Sequence, residues 1–151
     1  VWGREDAKEK DLEALLRLCA LKYFVRVKES LVNFDFSVEG YNSSYVKLLD
    51  QFSEKAMSFT KKQIDEYERS IASFLELFQV TTKQASKVTL FESFFVVYDK
   101  LGLNKPITSK IYNDVLNSKQ YISCARQGTV QMKSMNERWK VVYEIWNGSD
   151  R

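Results

Sequence analysis

Apolar residues return at helical spacing along most of the chain and divide it into seven helical segments. In the first, Leu12, Leu15, Leu16, Cys19, Ala20 and Tyr23 fall on one face, with Lys8, Lys10 and Glu13 largely outside it. Phe24 to Val27 reads either as a short strand or as the frayed end of that helix, and Asn33, Asp35 and Gly40 then favour a loop. Asn42, Ser43 and Ser44 are N-cap residue types. A second helix with Tyr45, Leu48, Leu49, Phe52 and Ala56 as its apolar face is expected after them. Thr60 and Gln63 form a capping box that opens a third helix, with Ile64, Tyr67, Ile71, Phe74, Leu75 and Phe78 on its face. The apolar repeat is not sustained over several heptads, so the pattern is that of a bundle helix and not a coiled coil.

Val80 to Lys87 is polar and reads as a linker. Thr89 and Glu92 have the spacing of a second capping box, at the start of a fourth helix. Leu90, Phe91, Phe94, Phe95, Val96, Val97, Tyr98 and Leu101 leave that helix almost no polar face. A helix apolar nearly all round is buried on most sides, so this one is the expected centre of the fold. Gly102 is placed to end it in a left-handed conformation. Asn104-Lys105-Pro106 is a turn, and Thr108 caps a fifth helix with Ile111, Tyr112, Val115 and Leu116. A short sixth helix spans about Lys119 to Arg126 and ends near Gly128. The seventh sets Met135, Trp139, Val142, Tyr143 and Trp146 against a solvated face of Lys133, Glu137, Lys140 and Glu144. The pattern predicts one all-α domain over residues 1–151, an irregular bundle of about six or seven helices around the fourth.

Composition narrows the function classes. The chain contains no histidine. That removes His-based acid–base catalysis, Ser-His-Asp and Cys-His pairs, His-ligated zinc and an HNH-type nuclease centre. Apolar residues make up 44% and charged residues 28%, the balance of a globular domain. No apolar run reaches the length of a membrane span. The charged start, without an initiator Met or a signal peptide, leads us to expect a cytoplasmic protein and an excerpt from a longer chain. Cys19 and Cys124 lie in helical patterns and read as small apolar residues, not as a disulfide or metal pair. Asn42-Ser43-Ser44 and Asn147-Gly148-Ser149 match the glycosylation sequon by chance on this reading.

Neither carboxylates nor glycines mark a catalytic centre. Asp11 and Glu13 are too close in sequence to share a helix face, and Asp65 with Glu68 reads as solvated surface. There is no glycine-rich phosphate loop. We expect no catalytic, cofactor-binding or metal-binding residue in this segment. The net charge is only +3, yet Leu103 to Lys140 holds seven cations against two anions. Within that stretch Lys105, Lys110, Lys119 and Arg126 are candidates for phosphate contact with DNA, with Tyr112, Tyr121 and Trp139 interleaved. The plainer reading is a solvated surface, because Lys133 and Lys140 have acidic helical neighbours. Aromatic residues, 14% of the chain, at helical spacing are read as core.

Three segments carry a family resemblance. Asp11-Leu12-Glu13-Ala14-Leu15-Leu16-Arg17-Leu18-Cys19-Ala20-Leu21 resembles an Asp-x-Glu-x-x-Leu-Arg-x-x-Ala-Leu segment of GmrSD-type proteins. There it opens the helical region after a ParB-like nuclease domain. Tyr45 to Phe52 resembles the family's next helix, and Thr89-Leu90-Phe91-Glu92-Ser93-Phe94 its later Ala-Leu-Phe-Glu-Ala helix. The interval Val80 to Val88 is too short for the Phe-Gly and Ala-Phe-Arg stretches often found between the family's third and fourth helices. The family's Asp-Gly-Gln-Gln-Arg motif is absent, so nucleotide hydrolysis and DNA cleavage transfer to no residue here. The resemblance implies a non-catalytic helical module of a bacterial antiphage or restriction-type nuclease. Such a module packs against or regulates the catalytic domain, and its partners are the other domains of the parent. Asp11, Glu13 and Arg17 are then candidates for a domain junction, against the alternative of a helix-surface charge cluster. The alternative function is a stand-alone protein–protein interaction module unrelated to nuclease chemistry.

Overall fold

The computed structural model describes residues 5–30, 33–80, 88–126 and 130–148, and of residues 5–11 only the helical backbone. Helix α1 (Glu5–Phe24) leads into a hairpin of β1 (Val25–Glu29) and β2 (Phe34–Val38). Helices α2 (Tyr45–Ala56) and α3 (Lys61–Glu76) follow, then β3 (Phe78–Gln79) and α4 (Val88–Leu101). The chain continues through β4 (Ile107–Thr108), α5 (Ser109–Leu116), α6 (Lys119–Arg126) and α7 (Met132–Asn147). The fold is an all-α irregular bundle, with two small strand pairs added to it. No described helix is long and apolar enough to cross a membrane.

Helix α4 is the central element. Leu90 through Val97 are buried without a break. Phe91, Phe94 and Phe95 fill one hydrophobic cluster with residues of α1, α3, α5, α6 and α7, while Val96 reaches a second cluster beneath the hairpin and α2. Gly102 ends the helix at φ +70°, its N–H donating to Tyr98 O at 3.1 Å. That is the left-handed cap a glycine supplies without a Cβ clash. Thr60 closes a reciprocal capping box with Gln63, Ser44 caps α2 through Lys47 N, and Thr108 caps α5 through Ile111 N. The sixth helix has the predicted span. Of the predicted linker Val80 to Lys87, residues 81–87 lie outside the described residues, as does Gly128.

Several expectations are corrected. Asp35 is not in a loop: it lies in β2, paired antiparallel with β1 in the register Val25↔Val38, Val27↔Phe36 and Glu29↔Phe34. The hairpin persists because α7 anchors it. Phe36 N donates to Asn136 Oδ1 at 2.8 Å, Asn136 Nδ2 donates to Asp35 Oδ1 at 3.0 Å, and the Phe36 ring meets Trp139 edge-on at 5.5 Å. Asn136→Ala removes both polar bonds and is expected to cost about 1–3 kcal/mol. Hydrogen exchange at Phe36 should accelerate in step with the fall in the unfolding midpoint.

Phe78 is not part of α3. It pairs in parallel with Ile107 across β3 and β4, although its ring still packs on Phe74 at 5.0 Å. Ile64 and Leu75, assigned to the buried face of α3, are 45% and 41% exposed. The core face of α1 differs as well. Ala14, Leu18, Ala20, Leu21 and Phe24 are buried, whereas Leu12 and Leu15 face solvent at 67% and 38% exposure. Helix α1 is therefore apolar on two sides. One side packs on α4; the other, through Leu16, Cys19 and Tyr23, packs within the cluster shared with α2 and Tyr67 of α3.

Candidate functional site

Glu92 lies in the second turn of the central helix, within its unbroken buried run, where a charge is least expected, and the residue is fully buried. The capping box expected of Thr89 and Glu92 does not form. Helix α4 already begins at Val88, and the carboxylate is engaged elsewhere. From α1, Arg17 Nη2 donates to Glu92 Oε1 at 3.2 Å, and Arg17 Nε lies 3.0 Å from Oε2. From the first turn of α2, the Tyr45 hydroxyl donates to Oε1 at 2.8 Å. The Arg17 guanidinium also lies over the Tyr45 ring, 4.3 Å from its centroid. An ionised carboxylate is acceptor-only, and a guanidinium and a phenol are the donors it needs inside a protein.

Around this triad the interior stays polar. Arg138 of α7 is fully buried, and its Nη1 donates to Cys124 O at 3.3 Å. Its charge acts on Glu92, Tyr41, Tyr45 and Tyr121. Burial pushes the Glu92 carboxyl up, against the pull of Arg17 and the Tyr45 hydroxyl. Burial raises the Tyr45 hydroxyl too, with Glu92 adding to it, and pushes Tyr121 up to about 12. The Tyr45 hydroxyl therefore keeps at neutral pH the proton it donates to Glu92.

A second ion cluster joins the far ends of the same two helices. Lys22 Nζ lies 2.8 Å from Asp99 Oδ1, Lys100 Nζ lies 3.2 Å from Asp99 Oδ2, and Lys100 also donates to Lys22 O. The two links, Arg17 to Glu92 and Lys22 to Asp99, set α1 and α4 side by side in the same direction. Chemically, the Glu92 centre is a tie between helices. Its carboxylate has no open face for a substrate. Among the described residues, no three His, Cys, Asp or Glu side chains gather as a metal site.

The sequence-predicted residues separate. Arg17 turns inward to Glu92, while Glu13, one turn earlier, is exposed and adds its charge in favour of the Arg17 cation. Asp11 lies in the backbone of α1, its side chain outside the described residues. Lys105 Nζ donates to the carbonyls of Trp146 and Asn147, at the end of α7 where a cation is favoured. Lys110 pairs with Asp114 at 2.8 Å, one turn along α5. Lys119 and Arg126 are exposed at opposite ends of α6. Lys119 shares a groove of about 570 Å³ with Lys140, but Glu137 and Glu144 line the same groove. Arg138, counted with the basic stretch, is unavailable to solvent. The basic C-terminal stretch is thus dispersed and partly neutralised. Both cysteines are free thiols, Cys124 buried and Cys19 half-buried.

Sequence reasoning missed Tyr45 and Arg138 as polar participants because each occupies a position in an otherwise apolar helix face. The one legible signal was Glu92 itself, an acid flanked on both sides by core positions.

Comparison of the chain with protein-family models, with curated proteins and with solved structures finds no match.

Proposed function

We infer that the chain is a non-catalytic helical module of a larger nuclease-type protein, of the kind the GmrSD resemblance implies, and that it packs against or regulates a ParB-like catalytic domain. One observation carries this reading. The three segments that resemble the family contribute one polar residue each to the Glu92 centre: Arg17 from the first, Tyr45 from the second and Glu92 from the third. Short leucine-rich matches at unrelated places in a chain have no reason to converge on one buried carboxylate. A shared architecture, in which those helices must be tied together, gives them that reason. Function is decided at the site and not by the fold, so the test belongs on the parent.

The experiment is on the full-length parent protein. An Asp-Gly-Gln-Gln-Arg motif ahead of residue 1 is expected. So is nucleotide-stimulated DNA cleavage that is lost when residues 1–151 are deleted. The isolated chain is expected to show neither nucleotide hydrolysis nor cleavage. A parent without the motif and without cleavage returns the chain to the alternative, a stand-alone protein-binding module. Phosphate contact by the exposed cations Lys119 and Arg126 would show as weak, salt-sensitive and sequence-indifferent binding of duplex DNA.

A further inference from the structure

One groove beside α6 sets Lys119 and Lys140 among Glu137 and Glu144 and has no single sign of charge. Another differs in kind. It measures about 450 Å³ and lies between the first turn of α4, the end of α5 and α6. Its walls are apolar: Val88 and Leu90 from α4, Leu116 from α5, Ile122 and Ala125 from α6. Leu90 is fully buried in the main hydrophobic cluster, so the groove opens onto the core itself, while Ile122 stands 38% exposed. Among the described residues, no carboxylate lines it. Its volume falls within the roughly 300–1,000 Å³ of small-molecule sites, which pair apolar walls with a few polar groups.

The polar groups of this lining are unspent. Tyr121 is 5% exposed, burial pushes its hydroxyl up to about 12, and that hydroxyl makes no hydrogen bond among the described residues. A buried hydroxyl without an acceptor is costly, and a ligand in the groove can bring the acceptor. Arg126, in the last turn of α6, is exposed and has no ion pair or hydrogen bond among the described residues. Its charge suits the C-terminal end of α6, and its planar fork of donors stays open to a carboxylate. An apolar groove lined by one guanidinium and no acid fits an apolar body that carries one negative charge. A nucleic-acid backbone has the charge without the body, and a neutral chain has the body without the charge. We propose that this groove binds a small carboxylic acid with an aliphatic or aromatic body, Arg126 and the Tyr121 hydroxyl donating to its carboxylate. Such a site is independent of the nuclease-module reading.

The probes are octanoate, octanol and acetate, titrated into isotope-labelled protein and followed by amide chemical shifts. Octanoate is expected to shift Leu90, Leu116 and Tyr121 to Arg126 saturably, and to bind at least about fivefold tighter than octanol. Acetate, the head without the body, should not bind at the same concentrations. The order is diagnostic, because a bare apolar surface takes the alcohol before the ionised acid. Arg126→Gln should bring octanoate down to the level of octanol or below while the unfolding midpoint stays put, because the side chain is already in water. Tyr121→Phe, which keeps the wall and removes the hydroxyl, should weaken octanoate at least about threefold. Leu75→Ala, at an exposed apolar residue of α3, should bind as the wild type does. No saturable octanoate binding, tighter binding of octanol than of octanoate, or an unchanged octanoate affinity in Arg126→Gln or Tyr121→Phe each overturns the proposal. None of these results bears on DNA cleavage by the parent, so the groove and the nuclease-module reading fail separately.

Discussion

Glu92→Ala is expected to destabilise the protein by about 3–5 kcal/mol, because it leaves a largely buried guanidinium without its carboxylate. Arg17 has only 16% of its side chain exposed and cannot regain full hydration without pulling α1 away from α4. Tyr45 would also lose the acceptor of its 2.8 Å bond. The cost is chiefly that of stranding the partner and does not measure the net worth of the pair. That distinction gives a second, sharper outcome. Replacing both charges together, Arg17→Met with Glu92→Leu, should recover most of the loss, since a buried ion pair and a well-packed apolar pair are often close in stability. Tyr45→Phe, which removes a single hydrogen bond to a charged group, should cost about 1.5–3 kcal/mol. Urea melts of the four proteins decide the matter. An unchanged midpoint for Glu92→Ala would mean that Arg17 and Glu92 do not meet in solution.

The same residue shows where sequence reading runs out. The central helix was legible because a 3.6-residue period with no polar face has only one stable environment, and its glycine end was legible because Gly102 takes a φ that other residues enter at a cost. The Thr60 and Thr108 caps were legible because capping chemistry is local, three residues from donor to acceptor. Glu92 followed a local rule as well, three residues after a threonine, and there the local rule lost. Its true partners stand 75 and 47 residues away in sequence. No spacing along α4 encodes a partner on α1 or α2.

The hairpin failed differently. Phe34-Asp35-Phe36-Ser37-Val38 alternates apolar and polar with period two, as a strand covered on one face should. Asn33, Asp35 and Gly40 are loop-favouring residue types, yet Asp35 occupies an outward strand position where an acid is tolerated. What makes the strand stable is Asn136, 100 residues on, and that is a tertiary fact. Helix α1 gave the opposite error. Its expected face packs through Leu16, Cys19, Ala20 and Tyr23 but leaves Leu12 and Leu15 exposed, while Ala14, Leu18 and Leu21 bury a second face.

Phe95→Ala is expected to cost about 3–5 kcal/mol, and Phe94→Ala slightly less. Both side chains are fully buried in α4, so each truncation removes transfer free energy and leaves a cavity that helices tied on several sides cannot close. Their surroundings separate them. Phe95 lies against Phe74 at 5.1 Å and Tyr98 at 6.2 Å, where the void is lined mainly by ring carbon and stays dry. Phe94 stacks on Tyr112 at 5.7 Å with an interplanar angle of 10° and meets Trp146 edge-on at 5.4 Å. The Tyr112 hydroxyl is buried and has no hydrogen-bond partner among the described residues. A void opened beside that ring can admit a water to satisfy the hydroxyl, which offsets part of the loss. Against a typical domain stability of about 5–15 kcal/mol, either variant should lower the urea midpoint severely or fail to fold at 25 °C. Leu75→Ala, at an exposed position, should stay within about 0.5 kcal/mol of the wild type and serves as the control. An unchanged midpoint for both phenylalanine variants would remove α4 from the centre of the fold. A Phe94→Ala loss clearly larger than that of Phe95→Ala would show that the Tyr112 side of the helix stays closed to water.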